Sequence, residues 1–258
     1  MGNIVLSTCV GYGPDSVEPF IRTCRKAFEG EIHVIAADVP AETVELLERH
    51  HAHVHQRGLE FSKHTRINEA RYPIYRALIE RLEFERAFIC DIRDVFFQSD
   101  PFSFGEAKPA LKFFAEDSLV GNCEVNRAWV LHCYGANALK NMASNVICCT
   151  GTVMGSRGGV MDYVHAMEEE IGRTAVYQGS DQVRLNYLID KRRFPNAVVQ
   201  ENRTGEVQTM HHQKVLSFSR EGLLLNVDGR VCPVIHQYDR HPRFASSFGA
   251  LRTEWLPT

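Results

Sequence analysis

The sequence predicts an α/β fold, a mostly parallel central sheet flanked by helices with a smaller mixed β region in the second half. Three observations carry that expectation. Apolar strand-like runs alternate with helical patterns through roughly the first hundred residues, as in βαβ units. Ala87-Phe88-Ile89-Cys90 is continuously apolar, as a strand buried on both faces of a parallel sheet should be. In the less regular second half, Val227-Asp228-Gly229 carries the Asp-Gly signal of a hairpin turn.

Taken in order, Ile4 to Val10 reads as a first strand, and Val17 to Phe28 as a helix with Asp15 or Ser16 as its N-cap. Ile32 to Ala37 is a second strand, Ala41 to His50 a second helix, and Val54 to Gln56 a short third strand. From about Thr65 to Leu82, Ile67, Ala70, Ile74, Ala77, Leu78 and Leu82 share one helical face, and Pro73 is expected to kink or split the helix. The strand Arg86 to Cys90 follows. Beyond it, Lys112 to Ala115 and Val146 to Met154 read as strands, and Gly159 to Ile171 and Asp181 to Asp190 as helices. Ser217 to Phe218, Leu223 to Asn226 and Arg230 to Gln237 read as a β-meander.

The 258 residues, 44% hydrophobic, suffice for one domain spanning 1–258, with a first half of about 1–105 and a second of about 106–258. A formal charge of -3 lacks the basic excess of a nucleic-acid reader. The start, Met1-Gly2-Asn3-Ile4, is unlike a secretory signal, and no run reaches membrane-spanning length, so the chain is expected to be soluble and cytoplasmic, without a membrane span. Eight cysteines without a repeated C-x-x-C pair read as reduced core residues.

Asp91 and Asp94 stand at the carboxyl end of the apolar strand, where open α/β sheets place their ligands. Two carboxylates in one short turn suit Mn2+ or Mg2+ bound together with substrate phosphates. The ordinary alternative is that Asp91 caps the next turn and Asp94 pairs with Arg93 or a neighbour. His236, at the end of the late apolar run Val231 to Ile235, is a candidate third ligand through a ring nitrogen; otherwise it is a half-buried histidine bonded to backbone. Asp181 and Gln182 open a helix, where a capping role is the plain reading. Arg71 and Arg76 precede the aspartates on a helix and are candidates to pair with Asp94 or to grip a phosphate, with Arg76 preferred; a solvated helix face is the alternative.

In order along the chain, Glu69-Ala70-Arg71-Tyr72-Pro73-Ile74-Tyr75-Arg76-Ala77-Leu78, then Phe88-Ile89-Cys90-Asp91-Ile92-Arg93-Asp94, Asn145 to Gly155, Ser180-Asp181-Gln182-Val183-Arg184-Leu185-Asn186 and finally His236 resemble glycosyltransferase family 8 and related GT-A glycosyltransferases. The resemblance spans about residues 4 to 241. It departs from the family in three places: two residues rather than one separate the aspartates, Val183 replaces a second aspartate, and Thr150 precedes Gly151 where asparagine is usual. It implies a Rossmann-like GT-A fold and transfer of a sugar, with retention, from a nucleotide-diphosphate donor, UDP favoured, to a saccharide, lipid or protein acceptor. It further implies a metal held by Asp91, Asp94 and His236, and Asp181 and Gln182 beside the transferred sugar. Thr150 and Gly151 would lie near that sugar, the glycine permitting close approach, and Ser7, Thr8 and Tyr12 would sit in the loop after the first strand, where the base docks.

Three other readings stay open. Gly11-Tyr12-Gly13-Pro14-Asp15-Ser16, with Asp38 after the second strand, invites an NAD(P)-dependent oxidoreductase, although the third glycine is missing and Pro14 removes a backbone donor. A sugar-nucleotide pyrophosphorylase-like enzyme would want a basic loop after the first strand, and no Lys or Arg precedes Arg22. A catalytically inactive nucleotide-sugar-binding module would bind metal and donor without consuming the donor.

Overall fold

The computed structural model describes residues 1–58, 67–104, 109–174, 180–213 and 215–241. Its centre is a seven-stranded sheet in the order β3-β2-β1-β4-β7-β6-β8. The strands are β1 (Ile4–Val10), β2 (Glu31–Ala37), β3 (Ala52–Arg57), β4 (Arg86–Asp91), β6 (Leu111–Leu119), β7 (Val146–Ser156) and β8 (Ala197–Gln200). β3, β2, β1 and β4 are mutually parallel; β7 runs against both β4 and β6, and β8 is parallel to β6. The carboxyl ends of β1 and β4 therefore lie side by side, with Thr8 opposite Asp91.

Both faces are buried at the centre of the sheet, which is why β1, β2 and β4 run largely apolar without alternation, whereas the edge strands β3 and β8 are partly exposed. Along β1, Val5 and Cys9 pack with α1 (Pro14–Ala27) and α2 (Ala41–Arg49), while Ile4 and Leu6 pack with α3 (Ile67–Ile79) and α5 (Arg157–Arg173). Fully buried side chains such as Leu6 and Phe88 each contribute on the order of 1.5–3 kcal/mol. A small mixed sheet, β5-β12-β9, joins β5 (Val95–Phe97), β12 (Val234–His236) and β9 (Val207–Thr209), so it draws strands from both halves of the chain. β10 (Ser217–Phe218) and β11 (Leu224–Leu225) form a two-stranded ribbon. No helix among the described residues is long and apolar enough to cross a membrane.

Several elements differ from expectation. α1 starts at Pro14, whose fixed φ and missing N–H suit a first helical position, so Gly13 is the N-cap rather than Asp15 or Ser16. α3 passes Pro73 without splitting, because Tyr72, Tyr75, Leu78 and Ile79 are all buried beneath it and hold it to the core; positions 65 and 66 lie outside the described residues. The meander is incomplete: β10 pairs with β11, and only a bridge joins Leu225 to Val231 before β12 leaves for the other sheet. α4 (Glu124–Met142) is absent from the expected elements: Gly135 (φ 80°) breaks it, and of its apolar residues Val130 and Met142 are buried while Trp129, Cys133, Tyr134, Ala138 and Leu139 pack only partly buried against the same cluster. α6 (Ser180–Asp190) matches its predicted span within a residue.

Candidate functional site

β4 ends at Asp91, the chain turns through buried Ile92, and Asp94 immediately precedes β5. β5 pairs antiparallel with β12, so that His236 stands opposite Val95, next to Asp94. Pairing alone thus delivers the histidine to the aspartates. His236 Nε2 lies 3.8 Å from Asp94 Oδ1 and 4.0 Å from Asp91 Oδ2, and one ligand atom from each residue lies within 4.8 Å of the others. His236 is fully buried, yet its Nε2 has no hydrogen-bond partner, whereas Nδ1 faces Thr209 Oγ1 at 3.5 Å. An unsatisfied buried nitrogen costs about 1–3 kcal/mol, and ligation of an ion would remove that cost.

The fourth wall is Gly151, on β7. A Cβ there would come within 2.6 Å of Asp91 Oδ2 and 2.7 Å of His236 Nε2, so only glycine leaves this space open. Two carboxylates and one imidazole, with an open side, fit a divalent ion such as Mn2+. Burial pushes the His236 ring below the usual histidine range, although Asp94 and Asp91 pull the other way; the neutral ring is the form that binds metal. Burial likewise raises the carboxyl of Asp94, against the attraction of His236. At Asp91 burial acts in the same upward direction but is outweighed, first by Arg71 and then by His236, so this carboxyl is held below its ordinary value.

Arg71 ties this cluster to α6. Its Nη1 donates to Asp91 Oδ1 at 2.9 Å and its Nη2 to Asp181 Oδ2 at 2.7 Å. Thr150 Oγ1 donates to the same Asp181 oxygen at 3.1 Å, and the Gln182 backbone N–H reaches Asp181 Oδ1 at 2.8 Å. Burial raises the Asp181 carboxyl, and Arg71 is the main influence opposing it. Asp181, Thr150 and Gly151 therefore belong to one arrangement with Asp91. The Gln182 side chain instead donates to Asn126 on α4.

A cleft of about 230 Å³ opens over the strand ends, lined among others by Thr8, Tyr12, Asn68, Arg71, Asp91 and Arg93. Arg240 and Arg93 both reach Asp94 Oδ2, at 3.3 and 3.4 Å, and Arg93 also pairs with Asp239. Both guanidinium groups are about two-fifths exposed, so they present positive charge at the mouth. A larger cavity of about 750 Å³ includes Glu116, Asp117, Asn122, Arg203 and His212. Burial there pushes the carboxyl of Glu116 up to about 7, opposed by a hydrogen bond from Cys149 and by Arg240.

Two predicted site residues are placed elsewhere. Ser7 lies within β1 rather than in the loop after it, is fully buried, and donates to the Cys90 carbonyl at 2.7 Å. Thr8 also lies within β1 rather than in the loop after it, but strand alternation turns it toward the cleft, with its hydroxyl 2.6 Å from that of Tyr75. Arg76 pairs with Glu168 at 2.9 Å and with Glu80, away from the aspartates. Five residues along a helix turn a side chain by about 140°, so Arg71 and Arg76 could not both face the strand ends. That spacing was the available signal favouring one of them, while the choice of Arg71 needed the packing of α3. The contacts of Arg240 and the position of Asn68 carried no sequence signal. All eight cysteines are free thiols, six of them buried. No protein-family model matches the chain, and comparison with curated proteins gives no match either.

Proposed function

We propose that this chain is a metal-assisted glycosyltransferase of the GT-A type, moving a sugar from a nucleotide-diphosphate donor, UDP favoured, to a saccharide, lipid or protein acceptor. The observation that carries the reading is the buried, unpartnered Nε2 of His236 facing Asp91 and Asp94 across the space kept open by Gly151. Asp91 and Asp94 would hold the ion through carboxylate oxygens and His236 through Nε2. A divalent ion bound there supplies electrostatic stabilisation to a departing diphosphate. Arg93 and Arg240 add positive charge at the cleft mouth for phosphate oxygens, and Thr8 and Tyr12 offer the wall against which a base can dock.

Asp181 contributes negative charge one hydrogen bond behind Thr150, where positive character on the sugar ring would be stabilised as its bond to the leaving phosphate breaks. The phosphate oxygen keeps the bonding electron pair, and the acceptor hydroxyl forms the new bond and loses its proton. Arg71 keeps both Asp91 and Asp181 in place and opposes protonation of Asp181.

The test is a thermal-shift series of nucleoside diphosphates and nucleotide sugars, with and without Mn2+. A donor at a hundred times its Kd stabilises by about 2.7 kcal/mol. The expected result is a Tm increase that requires Mn2+ and disappears in Asp94→Ala. Donor binding with undiminished metal dependence in that variant would refute the metal assignment, and a fluorescence response to NAD(P)H in its place would favour the oxidoreductase reading.

A further inference from the structure

A second group of side chains of metal-ligating type lies on the β2–β3 edge of the large sheet. Glu31 and His33 alternate onto one face of β2, and the register sets His53 of β3 directly opposite His33, with His55 two residues further along the same face. The rings of His53 and His55 stack against that of His33, with centroids 4.8 and 5.3 Å away. His33 is buried, while Glu31 and His53 are exposed. One ligand atom from each of Glu31, His33 and His53 lies within 4.8 Å of the others. β1 separates this patch from β4 and its aspartates.

We propose that Glu31, His33 and His53 bind a borderline transition ion such as Zn2+, with His55 orienting the ring of His33. Imidazole nitrogens with one carboxylate form the donor set such ions take, and hard ions such as Mg2+ avoid it. Zinc bonds of 2.0–2.2 Å in a tetrahedron place ligand atoms about 3.4 Å apart, and His33 Nε2 already stands 3.0 Å from Glu31 Oε2. The other ring nitrogen, Nδ1, stands 3.1 Å from His55 Nε2. A hydrogen bond of this kind to the non-ligating ring nitrogen fixes the tautomer and orientation of a ligating histidine. Glu31 and His53, being exposed, can rotate to close the small remaining distances, whereas His33 supplies the fixed point. Arg57 and Arg81 are the cations near His55, and their charge opposes binding.

The experiment is calorimetric titration of the full chain with Zn2+ in an Asp94→Ala background, which disables the cluster at the strand ends. One equivalent of Zn2+ should bind there, unaffected by excess Mg2+, and His53→Ala should weaken it tenfold or more at unchanged Tm. Glu31→Gln, at a second exposed position, should weaken it likewise. Zn2+ binding that is absent in the background, indifferent to His53→Ala, displaced by Mg2+, or lost instead on His212→Ala would overturn the proposal; the last result would assign the ion to Glu116, His211 and His212.

Discussion

Replacing Gly151 by alanine tests the strand-end cluster with a single methyl group. The backbone of Gly151 is ordinary strand, so alanine adds no φ strain. The new Cβ would stand 2.6 Å from Asp91 Oδ2, 2.7 Å from His236 Nε2 and 2.8 Å from His236 Cε1, against 3.4 Å or more in an ordinary contact. The neighbours must therefore retreat by about 0.7 Å. Asp91 keeps 39% exposure and can swing toward the cleft, but His236 is fully buried and held by β12. Metal sites tolerate ligand displacements of about 0.2 Å, so the retreat exceeds that tolerance several-fold. Overpacking costs about 1–3 kcal/mol, offset in part by about 0.4–1 kcal/mol from the stiffer unfolded chain. The expected outcome is a modest loss of Tm without metal, and a Mn2+ affinity at least tenfold weaker, read by Mn2+ titration of the apo protein. Wild-type Mn2+ affinity in a folded Gly151→Ala protein would show that this space is not where the ion binds.

Other expectations follow from the neighbouring contacts. Asp181→Asn should cut kcat at least tenfold while leaving donor Kd nearly unchanged, since its charge acts on the transition state; unchanged turnover with lower Tm would return it to a structural role. Arg71→Met removes the partner of buried Asp181 and should cost about 3–5 kcal/mol in urea unfolding, part of which is recovered when Asp181→Asn is added; strict additivity would disprove the coupling. Because folding raises the Glu116 carboxyl from 4.5 to about 7, the folded state binds the extra proton, and stability should fall as pH rises through that interval, by at most about 3 kcal/mol. Glu116→Gln should flatten that slope in Tm measured against pH. Arg76→Ala, by contrast, should change stability by about 1 kcal/mol or less and leave metal-dependent donor binding intact, because its ion pairs are partly exposed and lie away from the aspartates.

The sequence by itself determined the parallel half of the sheet. β1, β2 and β4 are runs whose apolar side chains must be covered on both faces, and the helices between the strands carry their own periodicity, so local pattern and final structure agree. It also located Asp91 and Asp94, because a continuous apolar strand ending in carboxylates has its strand end marked in the chain itself. What only tertiary structure decided is which distant residues join them. His236 reaches Asp94 through the pairing of β12 with β5, a strand of three residues too short to show any periodicity. Arg71 rather than Arg76 meets Asp91 and Asp181 because α3 is rotated by the burial of Tyr72 and Tyr75, and of Ser7 and Thr8, expected together at the site, strand alternation within β1 turns only Thr8 to the cleft. The order of motifs along the chain marks His236 and Asp181 as candidates, but the contacts themselves are long-range, set by register and helix rotation rather than by neighbours in sequence.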